Sequence, residues 1–462
     1  MKNLHLILLS SILFFSACNE YQQTTCVESD KFVMRGDTCL IVDGDTINKS
    51  KVTEPSYLFN LYLDKYSCCL SQVQSLYLDI RQIPQSSLSK LNQFQNLHSL
   101  TLKGYDTLPD EIGQLKELRY LVISNNSKKE VAIPTSIQNL KKLNTIRLST
   151  TKFPINLLKV PNLESLHINV TDSAFFPKKM TLLRNLKNLT IDYSPIFPLQ
   201  ITQITSLRSL DLSIFSSGKV TDSDNFTIPN DISKLTKLQS LNLSGHALDT
   251  LTRSIGELSQ LQKLHLPYLK QAPSSLTNLQ KLEHLYVSRS GNFLVKGIED
   301  IIPKLKNLNT FKYLQQQFSD LLPLAKSIAQ VKNLEVLDFT GEFNNLPDHF
   351  FQSNLTHLYL TNYPDGKQLE KLPRKILSLK RLTHLSITRT KIQRIPEEID
   401  QLQKLESLIL YDNQINYLPK TIEKLFNLVV LDLSKNPIKT ISFDIKKLQR
   451  LKYYTFQNQS TP

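Results

Sequence analysis

Glycine is scarce, at 11 residues in 462, which argues against nucleotide-binding glycine loops and against a disordered chain. No cysteine lies beyond residue 69, so most of the chain has no thiol nucleophile. The phrases that carry hydrolytic or phosphoryl-transfer chemistry are also missing, with no GxSxG, no HExxH and no P-loop. We therefore expect a chain that is not an enzyme and holds no cofactor and no metal. Long apolar runs are absent as well: the run Leu4–Phe15 has twelve residues, too few to span a bilayer as a helix.

Acidic residues are in deficit. Lys and Arg number 55 against 41 Asp and Glu, a formal charge of +14 and a pI near 9.3, and such an excess suits nucleic acid or an anionic membrane. The start of the chain decides between them. Lys2, the run Leu4–Phe15 and then Ser16-Ala17-Cys18 have the layout of a secretory signal with small residues before a cut. Export removes nucleic acid from the expected partners. With cysteine directly after Ser-Ala, the ending resembles a bacterial lipoprotein signal, which implies cleavage before Cys18, lipid on that residue and a place in the cell envelope, at the outer membrane or cell surface. Phe15 stands where that family usually has an aliphatic residue, and an ordinary signal peptide with Cys18 incidental is the alternative.

What the chain does have is a repeat. Leu379, Leu402, Leu425 and Leu448 fall 23 residues apart. The clearest copy runs Leu402, Leu405, Leu408, Leu410, Asn413, Ile415, Leu418, Pro419, Ile422, and the next carries Leu425, Leu428, Leu431, Leu433, Asn436 and Ile438. One such turn cannot bury its leucines alone, but a stack of turns makes a continuous core. The Leu408-x-Leu410 step has the period of a strand, and Leu418-Pro419-x-x-Ile422-x-x-Leu425 has apolar spacings of three or four on the return path. The phrase LxxLxxLxLxxNxIxxLPxxI resembles the leucine-rich repeat family in its LPxxI class. That resemblance implies an α/β leucine-rich repeat solenoid, with a parallel sheet on the concave face and an irregular or short-helical convex side.

Strand pairs recur from Leu76/Leu78 to Tyr454/Phe456, seventeen in all, at about 23.6 residues per repeat. We divide the chain into a signal peptide at 1–17, a tether and cysteine-containing N-terminal cap at 18–70, and the array at 71–462. Within the cap, Lys31–Met34 and Thr38–Val42 are expected to form a hairpin. Cys26, Cys39, Cys68 and Cys69 are disulfide candidates in an exported chain, with Cys26–Cys39 preferred because it would close that hairpin; a four-cysteine metal site is the rival reading. The family's asparagine, which satisfies backbone groups inside a turn, is present at Asn126, Asn413 and Asn436 and is replaced by threonine at Thr151, Thr171 and Thr390. The long step from Leu210 to Leu241 carries Ser216–Gly218 and Asp222–Asn225, expected to loop out. Lys446, Lys447, Arg450 and Lys452 are expected to shield the last turn by charge.

Residues flanking each buried strand pair face outward. Among the histidines there, His167, His265, His284, His357 and His384 take such positions, and so do Tyr286, Tyr359 and Tyr411. His357 and His384 share a position in neighbouring turns beside Tyr359, and His265 would neighbour Tyr286. No cysteine or carboxylate stands in register with them, which leaves a zinc site without a third ligand. Two readings remain besides a solvated face. Tyr and His are good protein-contact residues, so the concave face, through His265, His284, Tyr286, His357, Tyr359, His384 and Tyr411, is expected to bind a protein. The alternative is a structural or adhesive protein whose basic rim, in phrases such as Leu140-Lys141-Lys142-Leu143, meets envelope glycan or anionic lipid.

Overall fold

The computed structural model describes residues 13–17, 27–35, 38–42, 70, 73–79, 85–125, 129–170, 176–192, 196–214, 226–288, 295–314, 322–341, 351, 354–362, 369–456 and 459–460. The chain forms two compact units, residues 1–212 and 213–462.

In the first unit, strands β1 (Leu13–Ala17), β2 (Val27–Arg35) and β3 (Thr38–Val42) form an antiparallel sheet. The expected hairpin is therefore present as β2 and β3, with Met34 opposite Cys39. Cys18, Cys26, Cys68 and Cys69 lie outside the described residues.

The repeats of this unit begin with β4 (Ser75–Asp79), β5 (Ser99–Lys103), β6 (Tyr120–Ser124), β7 (Thr145–Thr150), β8 (Ser165–Val170), β9 (Asn188–Asp192) and β10 (Ser209–Asp211). Each is parallel to the next and in register leucine to leucine, as in Leu76↔Leu100↔Leu121. The second unit repeats the scheme with β11 (Ser240–Asn242), a short extra strand β12 (Ala247–Thr250), β13 (Lys263–Leu266), the strand β14 (Tyr268–Gln271) that pairs with β12, and β15 (His284–Ser288). It continues through β16 (Thr310–Leu314), β17 (Val336–Gly341), β18 (His357–Asn362), β19 (His384–Thr388), β20 (Ser407–Ile409), β21 (Val430–Asp432) and β22 (Tyr453–Phe456). All seventeen expected strand pairs lie on or against these parallel ladders, seven in the first unit and ten in the second. The chain has the leucine-rich repeat solenoid fold, with short helical pieces on its return paths.

The return path shows why proline and isoleucine recur. Pro419 is extended (φ −71°, ψ 144°) and immediately precedes the 3-10 piece Lys420–Lys424. Its carbonyl accepts from the Ile422 amide at 3.2 Å, so the three-residue step from Pro to Ile is one turn of 3-10 helix. That step drops Ile422 into the core. The pieces also approach closely: a Cβ added to Gly113 would sit 2.7 Å from the Ser136 carbonyl oxygen.

Two expectations need correction. The internal backbone-satisfying residue is Asn413 or Asn436 as expected, but in β7's turn it is Thr150 and not Thr151. The buried Thr150 hydroxyl accepts from the Val131 amide and donates to the Lys152 carbonyl, both at 3.0 Å. Asn125 is buried in the turn of β6, while Asn126 and Thr171 lie outside the described residues, as do Ser216–Gly218 and Asp222–Asn225. Elsewhere the same position is filled by bulk, with Tyr105 and His246 fully buried and His246 stacked on Phe226 at 3.5 Å. The second correction concerns the end of the array, where charge is not the only shield. A short strand β23 (Gln459–Ser460) pairs antiparallel with β22, Lys447 bonds Glu423 of the preceding turn at 2.8 Å, and Arg450 bonds Asn427 at 2.8 Å.

Candidate functional site

The ladder registers of the second unit bring the outward residues into rows. The residues between the buried pairs of successive strands are Asn242, His265, Tyr286, Lys312, Asp338, Tyr359 and Ser386. Two positions earlier in the strands the row reads Lys263, His284, Thr310, Val336, His357 and His384. Strand spacing of about 4.8 Å makes every neighbour in a row a contact. All seven candidates, His265, His284, Tyr286, His357, Tyr359, His384 and Tyr411, are half-buried, while the leucines between them are fully enclosed.

Both expected pairings are made. His265 stacks on Tyr286 with ring centroids 4.0 Å apart, and His357 stacks on His384 at 4.2 Å with planes 8° apart. Tyr359 lies 6.2 Å from His357. His284 lies beside Glu283, with its Nδ1 enclosed and without a hydrogen-bond partner among the described residues. Tyr411 stands further along the sheet, with Lys435 Nζ 4.9 Å over its ring. His167 belongs to the first unit and is held by Asp192 at 2.6 Å.

The sequence reading overlooked what joins the two clusters. Lys312 lies 5.7 Å over the Tyr286 ring and 3.5 Å from Asp338, whose strand neighbour is Tyr359. A carboxylate is therefore in register after all. The five-residue row His265–Tyr286–Lys312–Asp338–Tyr359 is bound by stacking, cation–π attraction and one ion pair. Burial pushes the Asp338 carboxyl above its ordinary range although Lys312 pulls the other way. Burial likewise raises the phenols of Tyr286 and Tyr359, the latter helped by Asp338. Among the described residues no group of three or more His, Cys, Asp or Glu side chains is placed to hold a metal ion.

Hydrogen bonds orient the stacked histidines. The Thr356 hydroxyl lies 3.1 Å from the Glu335 carbonyl oxygen and 2.9 Å from His357 Nδ1, and the Thr383 hydroxyl lies 2.9 Å from the Thr356 carbonyl oxygen and 2.9 Å from His384 Nδ1. Each threonine thus holds the Nδ1 edge of its neighbouring ring. Burial, and then the proximity of His384, hold His357 below its ordinary pKa, against the opposing pull of Glu335 and Glu406.

A parallel ladder of leucine-spaced turns is also what known proteins similar to this chain have. Residues 200–387 match the family model of the leucine-rich repeat region. The chain is similar to the solved leucine-rich repeat protein of Leptospira interrogans, with 28% identity, a TM-score of 0.61, and coverage of 85% of this chain and 98% of that one. A volume-regulated anion channel subunit of Rattus norvegicus is 27% identical over 318 residues, covering 62% of this chain and 34% of that protein. A probable disease resistance protein of Arabidopsis thaliana is 25% identical over 347 residues, 61% of this chain and 45% of that protein. The chain thus spans less than half the length of these two curated relatives, and the likeness lies in the leucine-rich repeat fold.

Proposed function

We propose that this leucine-rich repeat chain is a non-catalytic binding module, carried at the cell envelope by lipid on Cys18, that holds a protein partner on the sheet face of its second unit. The observation that carries this reading is the row from His265 to Tyr359 together with the His357–His384 stack. Seven half-exposed side chains on successive strands are held in place by their neighbours, so little side-chain freedom is lost on contact. Large amphipathic rings at such positions are the residue types that dominate protein interfaces.

The test is site-specific photocross-linking in cells that make the protein, with a photoreactive residue at Tyr286 or Tyr359 and, as a control, at the exposed return-path residue Phe426. One protein species cross-linked from both sheet positions and not from Phe426 supports the reading. Cross-linking from Phe426 alone would move the site to the return path. The anchor is tested separately: Cys18→Ser should release the protein from the membrane fraction or leave an uncut precursor, and wild-type protein found wholly in the medium would refute lipidation.

A further inference from the structure

On the return path of the first unit, four aliphatic side chains point into solvent where the repeat calls for none. Ile155 is 58% exposed, Leu199 52%, Leu182 48% and Ile196 38%. They belong to consecutive turns, those of β7, β8 and β9. The 3-10 pieces that carry three of them, Ile155–Lys159, Met180–Leu182 and Leu199–Gln203, pack against one another in succession. Ile155 and Leu199 each follow a return-path proline, the position held by Asp110, Thr135, Asn230, Ser274, Arg374, Glu397 and Lys420 in other turns. Together the four expose on the order of 300 Å2 of aliphatic surface, the size of the largest apolar patch on many monomers, which is often functional.

Among the described residues the unpaired charge around the patch is of one sign. Lys159 lies in the same short helix as Ile155, Lys178 and Lys179 precede the helix of Leu182, and Arg184 follows it; all four are exposed. Among the described residues none of these four has an ion-pair partner. The acidic side chains described between residues 152 and 208 are Glu164 and Asp192, and each is already paired, with Lys187 at 2.7 Å and with His167 at 2.6 Å.

We propose that this patch is a docking surface for an anionic lipid bilayer, the aliphatic side chains entering the headgroup boundary and the four cations meeting lipid phosphates. Aliphatic tips ringed by unpaired Lys and Arg are the composition by which interfacial segments bind anionic membranes. A polyanionic glycan would satisfy the cations but not the aliphatic tips. A lipid on Cys18 would keep the patch near a membrane, yet the surface chemistry does not depend on it, nor on the protein-binding reading of the second unit.

The chain has no tryptophan, so one introduced tryptophan reports one place. The experiment follows the emission of full-length Leu182→Trp protein while vesicles of phosphatidylcholine, alone or with phosphatidylglycerol, are added. A blue shift with the anionic vesicles alone is expected, lost when Lys178→Glu and Lys179→Glu are added and weakened in high salt. The control variant Phe426→Trp, at an exposed position in the second unit, should not shift. If Leu182→Trp melts early, Ile155→Trp takes its place. No shift with anionic vesicles, an equal shift with neutral ones, an equal shift with soluble dextran sulfate, or a shift that follows protein concentration without vesicles would each overturn the proposal.

Discussion

Replacing Asn413 with alanine should open one turn of the array without unfolding its neighbours. The side chain is almost fully enclosed. Its Oδ1 accepts from the Thr390 amide at 2.9 Å and from the Thr390 hydroxyl, and its Nδ2 donates to the carbonyls of Ile387 and Leu410, each at 2.8 Å. The Leu410 carbonyl keeps a second donor, Asn436 Nδ2 at 2.8 Å, so the chief orphans are the Thr390 amide and the Ile387 carbonyl. An unsatisfied buried group costs about 1–3 kcal/mol, so Asn413→Ala should cost about 3–4 kcal/mol. Asn413→Asp keeps the acceptor but turns a buried carboxylate toward the Ile387 and Leu410 carbonyls, so at neutral pH it should cost at least as much as alanine. Each turn touches only its neighbours, so the loss is expected to stay local. Hydrogen exchange followed by peptide is the fitting assay, because a long repeat array need not unfold in one step. Peptides spanning Leu385–Asn413 should lose protection by a factor of a hundred or more, as about 3 kcal/mol implies, while those of the first unit stay unchanged. Protection in that turn equal to wild type would refute the assignment of the asparagine as the internal support.

Three further outcomes follow from the same geometry. Asp338 has a raised folded pKa, so the folded chain holds that proton to higher pH than the unfolded chain, and stability falls as pH rises from the ordinary value of 3.8 through the raised one; Asp338→Asn should therefore melt higher than wild type at pH 7 and lose that advantage at about pH 3. His357 is shifted the other way, so its contribution is intact above its ordinary 6.5 and is lost as pH falls toward the lowered folded value; His357→Gln should flatten the melting-temperature decline below that point, and an unchanged slope would count against it. Gly113→Ala should cost about 1–3 kcal/mol by chemical denaturation, since the new methyl meets the backbone of Ser136.

The strands were legible because a buried pair two residues apart, repeated about every 23, admits one parallel stack, and each pair from Leu76 onward lies on its ladder. The His265–Tyr286 and His357–His384 contacts followed from the same register. The Lys312–Asp338 pair was missed because the outward positions were weighed as aromatic, histidine and acid/base candidates, and Asp338, read as outward but several turns from any other outward carboxylate, was not matched with a lysine on the neighbouring strand. The rim held a second surprise in asparagine. Asn162, Asn185, Asn307, Asn333, Asn354 and Asn427 each donate to a carbonyl of the preceding turn, a role hidden by the lysines beside some of them. Thr150 was misassigned by one residue because counting from the strand assumes a fixed path after it, and the backbone there differs from the later turns. In those turns Arg389, Asp412 and Lys435 take positive φ of 54–58°, setting up Thr390, Asn413 and Asn436. The exposed tips Ile155, Leu182 and Leu199 escaped notice because apolar residues at return-path spacing were counted as core.

The most direct test of the central claim is the affinity for the partner cross-linked at Tyr286 and Tyr359, measured with His284, Tyr286, His357, Tyr359 and His384 all replaced by alanine, next to a melting curve of the same variant. The rings are half-buried, and Tyr286, His357 and His384 are stacked on a neighbour, so each replacement should cost about 0.5–1.5 kcal/mol of stability, less than the cost of about 2–5 kcal/mol for Leu358→Ala beneath them. Measured at a temperature where the melt shows the variant folded, the account predicts binding weakened at least a hundredfold, as the loss of two or more interface anchors implies. Wild-type affinity in the five-residue variant would contradict it.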